Sequence, residues 1–272
     1  MRQAYEVSFN RIYVLESLRP EDRTTGSDLF ADVLRWKDYA GGAQAVYQSI
    51  ENKSELEVYL RIILADTLRG VVLPLIHLEL HGAREGLVLS SGELITWQEL
   101  VGHFREVNLA CKNNLLVSLA ACAGAFIYET ISPQEQAPFW GFVGAWNEVV
   151  SSDVENFTTF FDTLLTTGNL NEAIIVLNRT VPVERQFRFY NAEAVFERVR
   201  RAYTRDLSVP DRRNIRVQSI MAHALSNLFI RYNFTIPELR SKIESMLLEE
   251  NEETWVRMKR GFLSQDESAE NR

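Results

Sequence analysis

Two short apolar runs in this chain each end in a side chain able to do acyl-transfer chemistry. Residues 73–82 read Leu-Pro-Leu-Ile-His-Leu-Glu-Leu-His-Gly, and residues 115–124 read Leu-Leu-Val-Ser-Leu-Ala-Ala-Cys-Ala-Gly. The first run delivers His81, with Gly82 directly behind it, and the second delivers Cys122, followed by Ala123 and Gly124. A thiol attacks as its thiolate, and an adjacent imidazole is the usual base. The pair therefore reads as a cysteine–histidine dyad, with the backbone N–H groups of Gly82 and Cys122 available to a developing oxyanion. Taken singly, a Cys closing an apolar strand is more often a small buried hydrophobe. The comparable placement of the two residues gives the catalytic reading its weight.

Elements that bring these ends together follow from the pattern around them. Both runs are bounded by turn residues, as in buried strands of a covered parallel sheet, whose carboxyl ends are where ligands sit. Residues 5–18 contain a strand, most securely at 12–15. A polar stretch at 24–28 precedes Leu29, Phe30, Val33, Leu34 and Trp36 at helical spacing, and Ser54 is expected to cap a helix carrying Leu56, Ile63 and Leu68. Strand, helix, strand in that order is a βαβ crossover and predicts parallel pairing. Residues 86–94 read as a small hairpin. Thr96-Trp-Gln-Glu99 is a capping box opening a helix, near whose end Cys111 has a structural role. A strand at 142–146, a Phe-rich helix from about Val154 and a helix over 171–178 follow. From residue 183 strand signals fade, helical runs at 191–204, 212–230 and 236–250 take over, and a polar tail follows Gly261. The expected fold is a three-layer α/β/α sandwich with a mostly parallel sheet over residues 1–182, followed by a helical extension over 183–272.

Other chemistry is weaker. His77, Glu79 and His81 alternate along one strand and share a face, which raises a zinc site of His77, His81 and Cys122. That set lacks a fourth ligand, and His-X-Glu here has no Pro-Cys-X-X-Cys to complete a zinc deaminase motif. His77 and Glu79 read better as inward polar residues that orient the site, so neither metal nor cofactor is expected. His103 and His223 are read as structural, the stripe Phe157, Phe160, Phe161 as core, and Glu249, Glu250, Glu252 and Glu253 as a solvated helix face. A composition of 46% hydrophobic and 24% charged residues is ordinary for a globular chain. The net charge of −8 argues against a nucleic-acid partner, which calls for a basic stripe. No apolar run approaches a membrane span of about 18 residues. With two cysteines, no disulfide framework, and no apolar signal-peptide core in Met-Arg-Gln-Ala-Tyr-Glu, the expected location is the reducing cytoplasm.

The order of these motifs resembles the caspase-like cysteine peptidases, and within them the CHAT group related to caspases and separases. The likeness rests on a hydrophobic strand ending in His-Gly, a hairpin, a helix opening Thr-Trp-Gln-Glu-Leu, and a strand ending in Ala-Cys-Ala-Gly. His81 and Cys122 lie 41 residues apart, and Gly141-Phe-Val-Gly-Ala-Trp-Asn-Glu-Val-Val-Ser-Ser-Asp looks like the family's next strand and loop. The resemblance covers residues 5–180. It implies a thiol endopeptidase with Cys122 as nucleophile, His81 as general base and Gly82 in the oxyanion hole. It also implies a charged pocket for the side chain before the scissile bond. Asp153 or Glu148 would stand near it and favour a basic residue in a protein substrate. The chain departs from the family in having Ala123-Gly124 where many members have Ser-Gly, and in its helical extension. That extension is expected to dock a regulatory protein partner, with residues 123–138 as a mobile loop. Bacterial relatives recur in antiviral defence, and a catalytically silent interaction module on the same fold is the alternative.

Overall fold

The computed structural model describes residues 8–132, 135–226, 233–248 and 252–264. The remaining residues, which include 1–7, Pro133, Glu249, Glu250 and the expected polar tail from residue 265, lie outside the described set. The chain is an α/β protein built on one mixed, mostly parallel sheet with a helical C-terminal part. Strands β1 (Arg11–Ser17), β2 (Gln44–Ser49), β3 (Pro74–Gly82), β6 (Leu116–Ala120), β7 (Gly141–Ala145) and β8 (Phe187–Asn191) run in the order β2-β1-β3-β6-β7-β8. All neighbours are parallel except β7 and β8. The hairpin of β4 (Gly86–Val88) and β5 (Leu94–Thr96) extends from the end of β3.

Alternate residues of the central strands feed two separate cores, which is why their sequences are mostly apolar on both faces. Tyr13, Leu15, Ile76, Leu78, Val117, Leu119 and Phe142 pack on one side beneath α3 (Lys53–Leu68) and α4 (Trp97–Ala110). Ile12, Val14, Leu75, Leu116 and Val143 pack on the other. That second layer is formed by α1 (Thr25–Leu29), continued by π-helical Phe30–Leu34 and α2 (Arg35–Tyr39), and by α6 (Phe157–Thr167) and α7 (Leu170–Leu177). A short turn of helix, α5 (Ser151–Val154), precedes α6.

Local capping agrees with the sequence at one helix and departs from it at another. Thr96 and Glu99 form the expected reciprocal box at the start of α4. The cap of α3 is Asn52, whose side chain accepts from the Glu55 N–H, and not Ser54. Both residue types cap well, and Asn52 alone has the extended backbone a cap requires. The Lys112 and Asn113 backbones are left-handed after α4, and buried Asn108 accepts from the Leu115 N–H at 3.0 Å. Asn108 thus sets where β6 begins, and so where it ends.

Two strands escaped the sequence. β2 is a half-exposed edge strand, and β8 lies in the region expected to be helical, so the sheet continues to Asn191. After it come α8 (Ala192–Ser208), α9 (Pro210–Leu225) and α10 (Ile236–Leu248), close to the expected helical runs, and α11 (Glu252–Phe262), which was not among them. Ala137 donates its N–H to the Phe262 carbonyl at 2.7 Å, tying α11 to the segment that follows Cys122. Among the described residues no helix is long and apolar enough to cross a membrane.

Candidate functional site

β3 and β6 are neighbours in register Leu75↔Leu116 through Glu79↔Ala120, a constant offset of 41 residues. Continuing that offset past the last ladder pair sets His81 opposite Cys122. The 41-residue spacing in the sequence is therefore the register of the two strands. Beyond Glu79 the ladder with β6 ends and β3 pairs with β4, His81 facing Val88 and Gly82 facing Leu87. The ladder stops because β6 ends at Ala120, so the His81 and Cys122 side chains emerge just past its last pair.

Gly82 is required there by close approach. A Cβ on it would lie 1.7 Å from the Cys122 carbonyl oxygen and 3.0 Å from the Cys122 nitrogen, so any side chain would push the strand ends apart. Ala83 and Gly86 exchange both backbone hydrogen bonds, at 2.8 and 3.3 Å. Antiparallel ladders alternate, so Gly82 and Leu87 form a non-bonded pair and the Gly82 N–H points away from β4.

Cys122 is partly exposed. Its sulfur receives the Val149 N–H at 3.4 Å, and its own S–H points to the Val149 carbonyl at 3.6 Å. The next residue, Ala123, turns the chain with a left-handed backbone (φ 54°) into the 3-10 helix Gly124–Thr130, and donates its N–H to the Asn147 carbonyl at 3.2 Å. A left-handed non-glycine residue beside the Cys122 thiol is local strain held by its surroundings. The segment expected to be a mobile loop is packed where it is described: Ala125, Ile127 and Ala137 are all buried.

His81 has 41% of its side chain exposed, and its Nε2 lies 2.7 Å from Asp22 Oδ2. Asp22 sits in the segment between β1 and α1, where the Arg19 N–H donates to the same oxygen at 2.9 Å. The His81 hydrogen bond above all, with the Arg19 N–H adding to it and burial opposing it, holds the Asp22 carboxyl below the usual carboxylate range. With Nε2–H donated to Asp22, Nδ1 is left as the basic nitrogen, and no described residue hydrogen-bonds to it. No hydrogen bond joins His81 to Cys122 in this arrangement, in which the sulfur faces Val149. Asp22 is the functional candidate that sequence reasoning missed. It carries no periodicity or motif, only a position just past the carboxyl end of β1.

The remaining candidates divide. Glu148 is exposed, next to the Val149 backbone that meets the thiol. Asp153 is buried, and Arg185 takes both its oxygens, Nε to Oδ2 at 2.7 Å and Nη2 to Oδ1 at 3.2 Å. Its Oδ2 also accepts the Val150 N–H at 3.2 Å. Arg185, 32 residues away in sequence, thus already satisfies the carboxylate that was expected to favour a basic substrate residue. His77 is fully buried, with Nδ1 on Ser118 Oγ at 2.7 Å and Nε2 on Glu79 Oε1 at 2.8 Å. Neither nitrogen is free to ligate a metal beside Cys122. Among the described residues no group of three or more His, Cys, Asp and Glu side chains is arranged to hold one. Cys111 is buried at the end of α4, its thiol pushed up to about 11 by burial. Such a thiol is inert at neutral pH.

No family model and no curated protein matches the chain.

Proposed function

We propose that this chain is a cysteine endopeptidase that cleaves a protein substrate. In this reading the Cys122 sulfur, its proton taken by His81 Nδ1, attacks the scissile carbonyl carbon. The tetrahedral oxyanion is met by the N–H groups of Gly82 and Cys122. The C–N bond breaks as His81 returns the proton to the leaving amine, giving a thioester on Cys122. Water, deprotonated by His81, then adds to the thioester and restores the thiol. Asp22 keeps the imidazole in the tautomer with Nδ1 toward the thiol and stabilises its protonated form, as the carboxylate of a triad does.

The observation that carries the reading is the His81–Asp22 hydrogen bond at 2.7 Å on the strand end opposite Cys122. An imidazole oriented by a carboxylate, at the end of the strand that pairs with the one leading to a partly exposed thiol, supports nucleophilic catalysis. The resemblance to caspase-like peptidases supports the same assignment. With Asp153 committed to Arg185, exposed Glu148 is the acid left to favour a basic residue before the scissile bond. The helical extension, tied through Phe262 to Ala137, is the proposed seat of a regulatory protein partner. The sulfur's turn toward Val149 favours a second reading, a catalytically silent interaction module on this fold.

A peptidyl chloromethyl ketone ending in lysine separates the two. A peptidase is expected to be alkylated stoichiometrically at Cys122, located by peptide mapping, and to cleave the matching fluorogenic peptide, alone or once its partner is added. A silent module gives neither adduct nor turnover.

A further inference from the structure

Three buried titratable side chains lie on the His81 face of the sheet and take no part in the chemistry above. His77 is 0% exposed, Glu79 1% and Glu16 3%. Glu16 and Glu79 are register partners on β1 and β3, so two carboxyl groups face each other in the interior. Carboxylates are costly to bury unless their oxygens are paired. Burial above all, with Glu79 adding to it, raises the Glu16 carboxyl, and hydrogen bonds from the Tyr47 hydroxyl and the Gly26 N–H oppose that rise.

One oxygen of each carboxyl group is directed at the same three residues. Thr25 Oγ1 hydrogen-bonds Glu79 Oε2, and the Gly26 N–H donates to Glu16 Oε1 at 2.7 Å, with the Ser27 N–H at 3.4 Å. Behind them the Tyr47 hydroxyl donates to Glu16 Oε2 at 2.7 Å, and His77 bridges Glu79 to Ser118 on β6. Gly26 permits the approach: a Cβ there would stand 3.0 Å from Glu16 Oε1 and 3.3 Å from Glu79 Cδ. Residues 25–27 follow directly on the segment that carries Asp22. That segment is held by β1 at one end and at the other by the Thr25 bond to Glu79 and the Gly26 and Ser27 N–H bonds to Glu16. Within it Asp22 closes on Arg19, and Arg23 pairs with Asp28 and Glu155.

We infer that Glu79, acting through Thr25, is a positioning residue that fixes Asp22 against His81, an inference that rests on the peptidase reading of His81 and Cys122. The buried network ties Asp22 to β3, the strand that carries His81, and through His77 and Ser118 to β6, which carries Cys122. The three groups then keep a common frame although no backbone ladder joins the Asp22 segment to either strand end.

Two variants of the full chain test this. Thr25→Val removes the hydroxyl and keeps the shape, whereas Thr25→Ser keeps the hydroxyl. The readouts are the downfield Nε2–H proton resonance of His81 in protein labelled with 15N-histidine, identified by its loss in Asp22→Asn, and the rate of Cys122 alkylation by iodoacetamide. Thr25→Val is expected to lose the resonance and slow alkylation roughly tenfold, since small misplacements of a catalytic group are costly. Thr25→Ser is expected to keep both. Adding Thr25→Val to Asp22→Asn should slow alkylation no further, because the hydroxyl acts through Asp22. A folded Thr25→Val protein with resonance and rate unchanged overturns the inference, as does an additive loss in the double variant. The resonance is read without substrate, so absence of peptide turnover in the unaltered protein would fail the peptidase reading alone.

Discussion

The end of α4 and the end of β6 each present a cysteine, and the two ends differ in almost everything that governs a thiol. Cys111 closes a helix whose inner face is packed into the sheet, so its sulfur is sealed and its thiol is pushed up to about 11. Cys122 lies past the carboxyl end of a parallel strand, beyond the last ladder pair with its neighbour, whose own end pairs with a hairpin. It is partly exposed, receives the Val149 N–H, and stands opposite an imidazole held by a carboxylate. The difference comes from topology. Cys111 ends a helix packed on the sheet, whereas Cys122 stands at the carboxyl ends of parallel strands, where ligands sit in open α/β sheets. Residue type alone says little about reactivity; the element that ends there says much more.

The largest expected effect separates the two cysteines by substitution. Cys122→Ala should lower peptide hydrolysis by roughly a thousandfold or more, because nothing replaces the nucleophile. Cys111→Ala should leave kcat within about twofold while costing roughly 1 kcal/mol of stability for the small volume removed from the core. Paired kinetics and urea melts of both variants check this, and a comparable kcat loss in Cys111→Ala would break the contrast.

A second expectation concerns alkaline pH. The Cys111 thiol is raised in the fold from 9.0 to about 11, so the folded state holds a proton that the unfolded chain releases first. The stabilisation is fully present below about pH 9 and is lost as pH rises toward 11, an amount of roughly 2–3 kcal/mol. Urea melts between those limits should show this loss in the unaltered protein and a smaller one in Cys111→Ala. Equal losses would mean that the sulfur is not sealed.

The smallest effect lies at the turn after Cys122. The left-handed backbone of Ala123 costs about 1–2 kcal/mol relative to glycine, and added freedom in the unfolded chain returns part of that. Ala123→Gly should therefore stabilise the fold by a few tenths of a kcal/mol up to about 1. A loss of stability in thermal melts would show that the turn is not strained.

Much of the frame around Cys122 was legible before the structure, for reasons that particular residues make clear. Leu75 to Glu79 and Leu116 to Ala120 are buried on both faces because both are covered by helices, and apart from His77, Glu79 and Ser118 they are apolar. Their equal advance from strand start to reactive residue encodes a register that a parallel pair can keep. Thr96 and Glu99 announced their helix through local hydrogen bonds. β2 and β8 were not legible, because edge strands are half exposed and Gln44-Ala-Val-Tyr-Gln-Ser carries no apolar run. Asp22 and the Asp153–Arg185 pair were hidden for another reason. Their partners lie 59 and 32 residues away, and only the folded chain brings them together.

The central claim is that His81 activates Cys122, and it is tested most directly by the rate of iodoacetamide addition at each cysteine in the unaltered protein and in His81→Ala at neutral pH. Cys122 is expected to react first in the unaltered protein, to slow at least tenfold in His81→Ala, and Cys111 to stay unlabelled in both. Equal Cys122 rates in the two proteins, or labelling of Cys111 ahead of Cys122, would contradict it.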